Sequence, residues 1–283
     1  MSRLSWFQLG YRTRRAQPKA RQRQPKGNRR ALWLVAVMCG AIAAFPAIAQ
    51  ANKELRVAAA ADLQPVLPTL AERYEKATGV KLVISFGSSG NLATQIINGA
   101  PMDLFLGADF VFPEKVVAAG LADGTAPTQY ARGTLVLWAR KDSPLQPITL
   151  DSLTDKRVTA VAIANDLRAP YGQAAVAALK RLKMYDAVKP HLVVAENIAQ
   201  AAQFVESGNA QLGLISLTAA STPRFQAEGT FVRVPRSAYA PIMQCAVVMK
   251  SSNRRAEAHA FLDWLLKPEV QASLVPMGLE PVK

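Results

Sequence analysis

The chain has 283 residues, half of them hydrophobic, which is enough for one large or two medium domains with a packed core. Its formal net charge of +14 suggests an acidic partner such as nucleic acid, but residues 3–30 alone hold ten lysines and arginines and no acid. Without these ten, 24 of the 34 basic residues remain against 20 acidic ones, a net charge of about +4. The body of the protein therefore needs no polyanion partner, and nucleic-acid binding is not predicted.

The basic segment leads into an apolar stretch at 31–49 that ends in the small-x-small pattern AIA. This arrangement is typical of a secretory signal peptide, so we predict that residues 1–51 are a signal peptide, cleaved after Ala49 or Ala51, and that the mature protein lies in the periplasm. The open alternative is an uncleaved membrane anchor, since the stretch is near the lower length limit for a span. After cleavage only Cys245 remains, which excludes an intramolecular disulfide.

From residue 54 onward, short apolar runs alternate with stretches in which apolar residues recur at helical spacing. Several glycines fall at predicted helix ends, where a left-handed residue is often needed. The alternation of strand and helix predicts an α/β fold with largely parallel sheets and helices on both faces. The predicted strands are 54–61, 80–86, 103–107, 158–164 and 192–194, the predicted helices are 63–77, 92–97, 112–119, 171–182 and one that opens at 196–199, and the glycines are Gly79, Gly99, Gly120 and Gly208.

Two longer extended runs, 133–140 and 241–249, lack an immediately following helix. We interpret them as paired crossings between two lobes, which makes the first lobe discontinuous in the chain. The first lobe is predicted to comprise 52–133 plus 240–283, and the second lobe 134–239. The C-terminal helices are expected to pack back on the first lobe.

The short segment SFGSSG, residues 85–90, follows one predicted strand and precedes an amphipathic helix. Ser88 and Ser89 are placed at the start of that helix, and Gly87 and Gly90 allow close approach of the backbone to another group. A helix N-terminus presents unpaired N–H groups and a positive partial charge, so it can hold an anion without lysine or arginine. The alternative is that the two serines merely cap the helix.

Three further strand-to-helix turns occur at 59–62, 169–172 and 196–199. In a doubly wound sheet such turns lie at the carboxyl edge of the strands, where ligands bind. Two of the four turns belong to each predicted lobe. Their convergence would surround one cleft with N–H donors and hydroxyls, which suits an oxyanion.

The motifs VAAAADL, SFGSSGNLATQIINGAPMDLFLGAD, APYG, AENIAQA and LGLISL, in this order and spacing, resemble those of the periplasmic molybdate-binding proteins of ABC transporters. The resemblance covers 54–283, nearly the whole mature chain. It implies a two-lobed periplasmic binding protein fold of type II, with the ligand cleft between the lobes. It also implies high-affinity binding of a tetrahedral oxyanion, molybdate and also tungstate, and its delivery to a membrane-embedded permease.

Carried over position by position, the resemblance implies five ligand-binding residues. The first turn gives Ala61 and Asp62, the serine pair gives Ser89, the APYG turn gives Tyr171 and the ENIA turn gives Ile198. Tyr171 and Ile198 are expected to act mainly through backbone N–H groups. These residues hold the oxygens of the anion, and no direct ligand to its metal atom is predicted.

Two positions depart from the family pattern. The family often has Ser or Asn in place of Asp62, and some members have a ligand-binding Tyr in place of Ser216, which shifts the donor role to Tyr171. A carboxylate beside a dianion is unfavourable by several kcal/mol at about 4 Å. We therefore expect Asp62 to offer its N–H with its carboxylate turned away as a helix cap, or to be protonated when the anion is bound. A solvent-facing N-cap is the alternative.

An enzyme is not predicted, because the sequence has no GxSxG motif, no Cys with a plausible His partner and no metal-ligand spacing. His191 and His259 are expected to be surface or satisfied helix residues. No cofactor is predicted, and the protein is expected to be a monomer. The open alternatives are a sulfate-type or other oxyanion-binding protein, and an oxyanion sensor that is not coupled to transport.

Overall fold

The computed structural model describes residues 53–282. The predicted signal peptide, residues 1–51, lies outside these residues. Among the described residues no helix is both long and apolar enough to cross a membrane. Cys245 is a free, buried thiol in the interior of the protein.

The described chain forms two sheets, one in each lobe. The six-stranded sheet has the order β11-β4-β10-β3-β1-β2, and the five-stranded sheet has the order β7-β6-β8-β5-β9. The strands are β1 Lys53–Ala60, β2 Val80–Gly87, β3 Leu104–Gly107, β4 Thr128–Gly133, β5 Leu135–Arg140, β6 Val161–Ala164, β7 Leu192–Ala195, β8 Leu212–Ser216, β9 Gly229–Arg233, β10 Ile242–Val248 and β11 Glu280–Pro281.

Helices connect the parallel strands in both lobes. They are α1 Leu67–Thr78, α2 Ser89–Ile97, α3 Val111–Ala118, α4 Pro170–Arg181, α5 Tyr185–Val188, α6 Ile198–Glu206, α7 Leu217–Ala220, α8 Pro223–Glu228, α9 Arg255–Leu265 and α10 Pro268–Leu274, and short 3-10 turns include Ala61–Leu63.

The predicted alternation of strand and helix is confirmed. In the first lobe β1 pairs in parallel with β2 and β3, and in the second lobe β6 pairs in parallel with β7 and β8. All four glycines that were predicted to end helices have positive φ angles, between 72° and 93°. The α/β, two-lobed fold predicted from the sequence is therefore present.

The two extended runs do not pair with each other, but each begins where the chain passes from one sheet to the other. β5 pairs with β8 and β9 in the second lobe, whereas β10 pairs with β3 and β4 in the first, so the two runs lie in different sheets. The chain leaves the first sheet between Gly133 and Leu135, and it returns between Arg233 and Ile242. The lobe boundaries at residues 133 and 240 stay a prediction.

The C-terminal helices pack on the first lobe through aromatic rings. Tyr74 of α1 contacts Phe261 and Trp264 of α9, with ring centroids 4.9 Å and 5.2 Å apart. Such aromatic pairs add to the free energy gained from apolar burial. The carboxyl ends of β1 and β2 in one lobe and of β6 and β7 in the other are each followed by a helix, and the starts of these helices lie at the same cavity.

Candidate functional site

The structure brings all five predicted site residues to one cavity between the lobes. The cavity has a volume of about 10 Å³, which is room for about one water molecule. The lining residues come from the carboxyl ends of β1, β2 and β3 in the first lobe and from the starts of α4 and α6 in the second. The small volume shows that the two lobes are closed against each other here. The lining residues are Ala60, Ala61, Asp62, Gly87, Ser88, Ser89, Ala108, Ala169, Pro170, Tyr171, Asn197 and Ile198.

The two serines of the first lobe have different roles. Ser88 is the N-cap of α2, and its hydroxyl oxygen accepts from the N–H of Asn91 at 3.4 Å. Ser89 is the first residue of the helix, and its hydroxyl oxygen accepts from the N–H of Ala108 at 3.0 Å. Because that oxygen is used as an acceptor, the hydroxyl hydrogen of Ser89 stays available for a ligand.

The second lobe contributes the starts of α4 and α6. Pro170 occupies the first position of α4 and has no N–H, so Tyr171 is the first residue there that can donate from its backbone. Asn197 caps α6 by accepting from the N–H of Gln200 at 3.0 Å. In the described chain no protein group accepts from the N–H groups of Ser89, Tyr171 or Ile198. Three helix N-termini therefore offer free donors at one cavity.

Asp62 is buried. Both expectations that its side chain caps a helix, either turned away from the ligand or facing solvent, are wrong. Its side chain caps no helix and does not face solvent; instead its Oδ2 accepts from the side-chain amide of Gln244, on the central strand β10. The hydroxyl of Tyr130 donates to the amide oxygen Oε1 of Gln244 at 3.0 Å, which fixes the orientation of that amide. Burial raises the pKa of Asp62 to about 6, and the hydrogen bond from Gln244 only partly opposes this rise.

The hydroxyl of Tyr171 is buried beside Asp62 and close to Gly133. This hydroxyl lies near enough to lower the pKa of the Asp62 carboxyl. Within the described chain, however, neither the hydroxyl nor Asp62 Oδ1 has a hydrogen-bond partner of good geometry. Burial raises the pKa of Tyr171 well above its usual value, so the hydroxyl keeps its proton. Two polar atoms that lack partners thus lie next to the cavity.

Hydrogen bonds hold the two lobes together at the mouth of this cavity. The N–H of Gly90 donates to the carbonyl oxygen of Arg168 at 2.8 Å. The side chain of Asn91 accepts from Arg168 at 3.1 Å and donates to Glu196 at 3.1 Å. These residues come from opposite lobes, so each bond forms only when the lobes are closed.

Ser216 does not line this cavity. It caps α7 by accepting from the N–H of Ala219, and its hydroxyl is bonded to that of Thr218 at 2.8 Å. The Thr218 hydroxyl also lies 2.7 Å from the backbone oxygen of Asp62, which links the second lobe to the first turn. The proposed shift of a donor role from position 216 to Tyr171 stays a prediction.

Sequence reasoning missed Gln244 and Arg168. The only sequence signal for Gln244 was one amide in an otherwise apolar strand, and the pairing of β10 beside β3 is what brings it to Asp62. Arg168 contacts the first lobe through both its backbone oxygen and its guanidinium group, and neither contact has a signal in the sequence.

Comparison with known proteins identifies the family. Residues 55–280 match the family described as bacterial extracellular solute-binding protein. The Molybdate-binding protein ModA of Azotobacter vinelandii is 38% identical over 227 residues, which cover 80% of this chain and 89% of that protein. The protein of the same name from Rhodobacter capsulatus is 35% identical over 79% of this chain and 86% of its own length.

Solved structures agree with these sequence matches. The structure of the Azotobacter vinelandii periplasmic molybdate-binding protein superposes with a TM-score of 0.76 at 34% identity, covering 81% of this chain and all of that one. A sulfate-binding protein of Mycobacterium tuberculosis has a TM-score of 0.69 at only 17% identity, over 82% of this chain and 88% of its own, and shares the fold. The chain belongs to the bacterial extracellular solute-binding proteins and, within them, to the ModA family of molybdate-binding proteins.

Proposed function

We propose that this protein binds molybdate, and tungstate as a close analogue, in the cavity between its lobes and delivers it in the periplasm to an ABC permease. It acts as a monomeric binding protein without a cofactor and without catalysis. Ala61, Asp62, Ser89, Tyr171 and Ile198 are the proposed contacts to the oxyanion. The names of its relatives support this ligand, because they are called molybdate-binding proteins.

The observation that carries the proposal is the chemistry of the cavity. Free N–H groups at the starts of α2, α4 and α6 meet there, together with the hydroxyl of Ser89. None of the described residues that line it is a lysine, an arginine or a histidine. Helix N-termini each carry a positive partial charge of about half an elementary charge, so several of them can balance an oxyanion without any cationic side chain.

Sulfate is the nearest competing ligand because it is also a tetrahedral dianion. It is smaller than molybdate, so donors placed for the longer metal–oxygen bonds would be left with poor hydrogen bonds, each costing about 1–3 kcal/mol. A sensor that is not coupled to transport would use the same site. Binding to the purified permease separates the transporter subunit from such a sensor.

Molybdate is expected to raise the melting temperature of the protein. A ligand that binds only the folded state at 100 to 1,000 times its Kd adds about 2.7–4.1 kcal/mol. For a chain of this size that corresponds to an increase of about 5–15 °C. Differential scanning calorimetry with molybdate, tungstate, sulfate and phosphate at equal concentration measures it. A melting temperature that rises with sulfate and not with molybdate would show that the ligand is assigned wrongly.

Binding is also expected to close the lobes. The donors of Ser89 lie in the first lobe and those of Tyr171 and Ile198 in the second, so one anion meets all of them only in the closed arrangement. Small-angle X-ray scattering should therefore give a smaller radius of gyration with molybdate than without it. Identical scattering curves, at a concentration where calorimetry shows saturation, would exclude ligand-driven closure.

A further inference from the structure

The Asp62 carboxyl is an unusual neighbour for an anion. It is buried at the cavity, its Oδ2 accepts from Gln244, and its Oδ1 has no hydrogen-bond partner in the described chain. The polar side chains that face it are Gln244 from β10 and Tyr171 from α4, with Tyr130 from β4 behind Gln244. None of these groups carries a positive charge, so no cationic side chain compensates an ionised carboxylate when a dianion arrives.

The hydrogen bonds around Asp62 decide where a proton can sit. The amide nitrogen of Gln244 donates to Oδ2, and the hydroxyl of Tyr130 fixes the orientation of that amide by lying against its oxygen. Oδ2 is therefore occupied as an acceptor. Oδ1, the oxygen without a partner, is the position from which a protonated Asp62 would donate a hydrogen bond.

We propose that the site takes up one proton with each oxyanion dianion and holds that proton between Asp62 Oδ1 and an oxygen of the ligand. This inference rests on the proposed function. The proton turns a repulsive contact between like charges into a hydrogen bond, and the bound ligand loses this bond when the proton leaves. A rise in pH therefore weakens binding and favours release.

The direction of the effect follows from linkage. Burial raises the pKa of Asp62 to about 6. Above that pH the free site is ionised, whereas the site next to a dianion is protonated to a still higher pH because the second charge opposes ionisation. Binding therefore takes up a proton, and the affinity falls by up to about tenfold for each unit of pH above about 6.

Asp109 provides a matched control. Burial also raises its pKa to about 6, but it does not line the cavity, and its Oδ1 accepts from the N–H of Phe112 at 3.1 Å. Asp109→Asn and Asp62→Asn therefore each remove one buried carboxyl of the first lobe. Only Asp62→Asn removes the carboxyl that lies at the cavity.

The test is isothermal titration of the purified protein with sodium molybdate at about pH 8, in two buffers with different ionisation enthalpies, and then across about pH 7–9. We expect uptake of about one proton per molybdate for the wild type and for Asp109→Asn, with Kd rising about tenfold per pH unit. Asp62→Asn should show uptake near zero and a flat pH profile, with affinity at the upper pH equal to or above that of the wild type.

The wild-type measurement alone can overturn the inference, so the test does not depend on whether a variant folds. If molybdate binds the wild type without proton uptake, the proposed proton coupling is wrong, whereas the proposed function still stands. Proton uptake that persists in Asp62→Asn assigns the proton to another group and equally refutes the role of Asp62. The absence of molybdate binding would overturn the proposed function together with this inference.

Discussion

Replacement of Gly90 by alanine is expected to weaken molybdate binding by about 5- to 150-fold, the equivalent of about 1–3 kcal/mol. A Cβ at this position would lie 2.9 Å from the carbonyl oxygen of Arg168 and equally close to the ring of Phe112. The ring can shift, but the carbonyl belongs to the backbone of the opposite lobe. The alanine therefore opposes closure of the lobes more than it opposes folding of either one.

Calorimetric titration and scattering together test this prediction. Gly90→Ala should bind molybdate weakly, and at subsaturating ligand its radius of gyration should decrease less than that of the wild type. Gln95→Ala, on the exposed side of the same helix, should behave as the wild type does in both measurements. Wild-type affinity in Gly90→Ala would mean that the contact between Gly90 and Arg168 is not part of the bound state.

Replacement of Ser89 by alanine is expected to weaken molybdate binding by about 10- to 150-fold. The substitution removes a hydroxyl whose hydrogen is free to bond an anion, and a hydrogen bond to a charged group contributes about 1.5–3 kcal/mol. It also leaves the buried N–H of Ala108 without its acceptor, at a cost of about 1–3 kcal/mol to the free energy of unfolding. Titration calorimetry and urea unfolding measure the two effects separately.

Ser88→Ala is the matched control for Ser89→Ala. Ser88 caps α2, so its removal should lower the free energy of unfolding by about 1 kcal/mol. We expect a smaller loss of affinity than for Ser89→Ala. If the two variants lose affinity equally, or if Ser89→Ala binds as the wild type does, the hydroxyl of Ser89 is not a specific ligand and the serines act only as helix caps and structural acceptors.

Local signals in the sequence were sufficient to predict the order of the elements and the helix starts that meet at the cavity. Alternating apolar periodicity located β1 to β3 and their helices, and glycine marked helix ends such as Gly79 and Gly120. The order of the elements and the ends of the helices can be predicted because they depend on residues that are close together in the sequence. The division into two lobes was inferred from the two extended runs, whereas the five ligand-binding residues were carried over from the resemblance to a known family.

The features that escaped prediction depend on contacts between distant residues. The runs at 133–140 and 241–249 have similar apolar patterns, yet β5 belongs to the five-stranded sheet and β10 to the six-stranded sheet. The direction of the Asp62 carboxyl follows from Gln244, which is 182 residues away in the chain. Such contacts are set by strand register and tertiary packing, which local periodicity does not encode.

The position of β10 has a consequence for the order in which the molecule can assemble. This strand lies between β3 and β4, although more than a hundred residues separate it from either of them in the chain. Until residues 242–248 are present, β3 and β4 expose open edges, and the cavity lacks the amide that holds Asp62. The five-stranded sheet has all its strands between residues 135 and 233 and can form without them. Synthesis of the chain from its N-terminus therefore allows the middle of the sequence to fold before its beginning, and the binding site cannot be completed before residues 242–248 have been made.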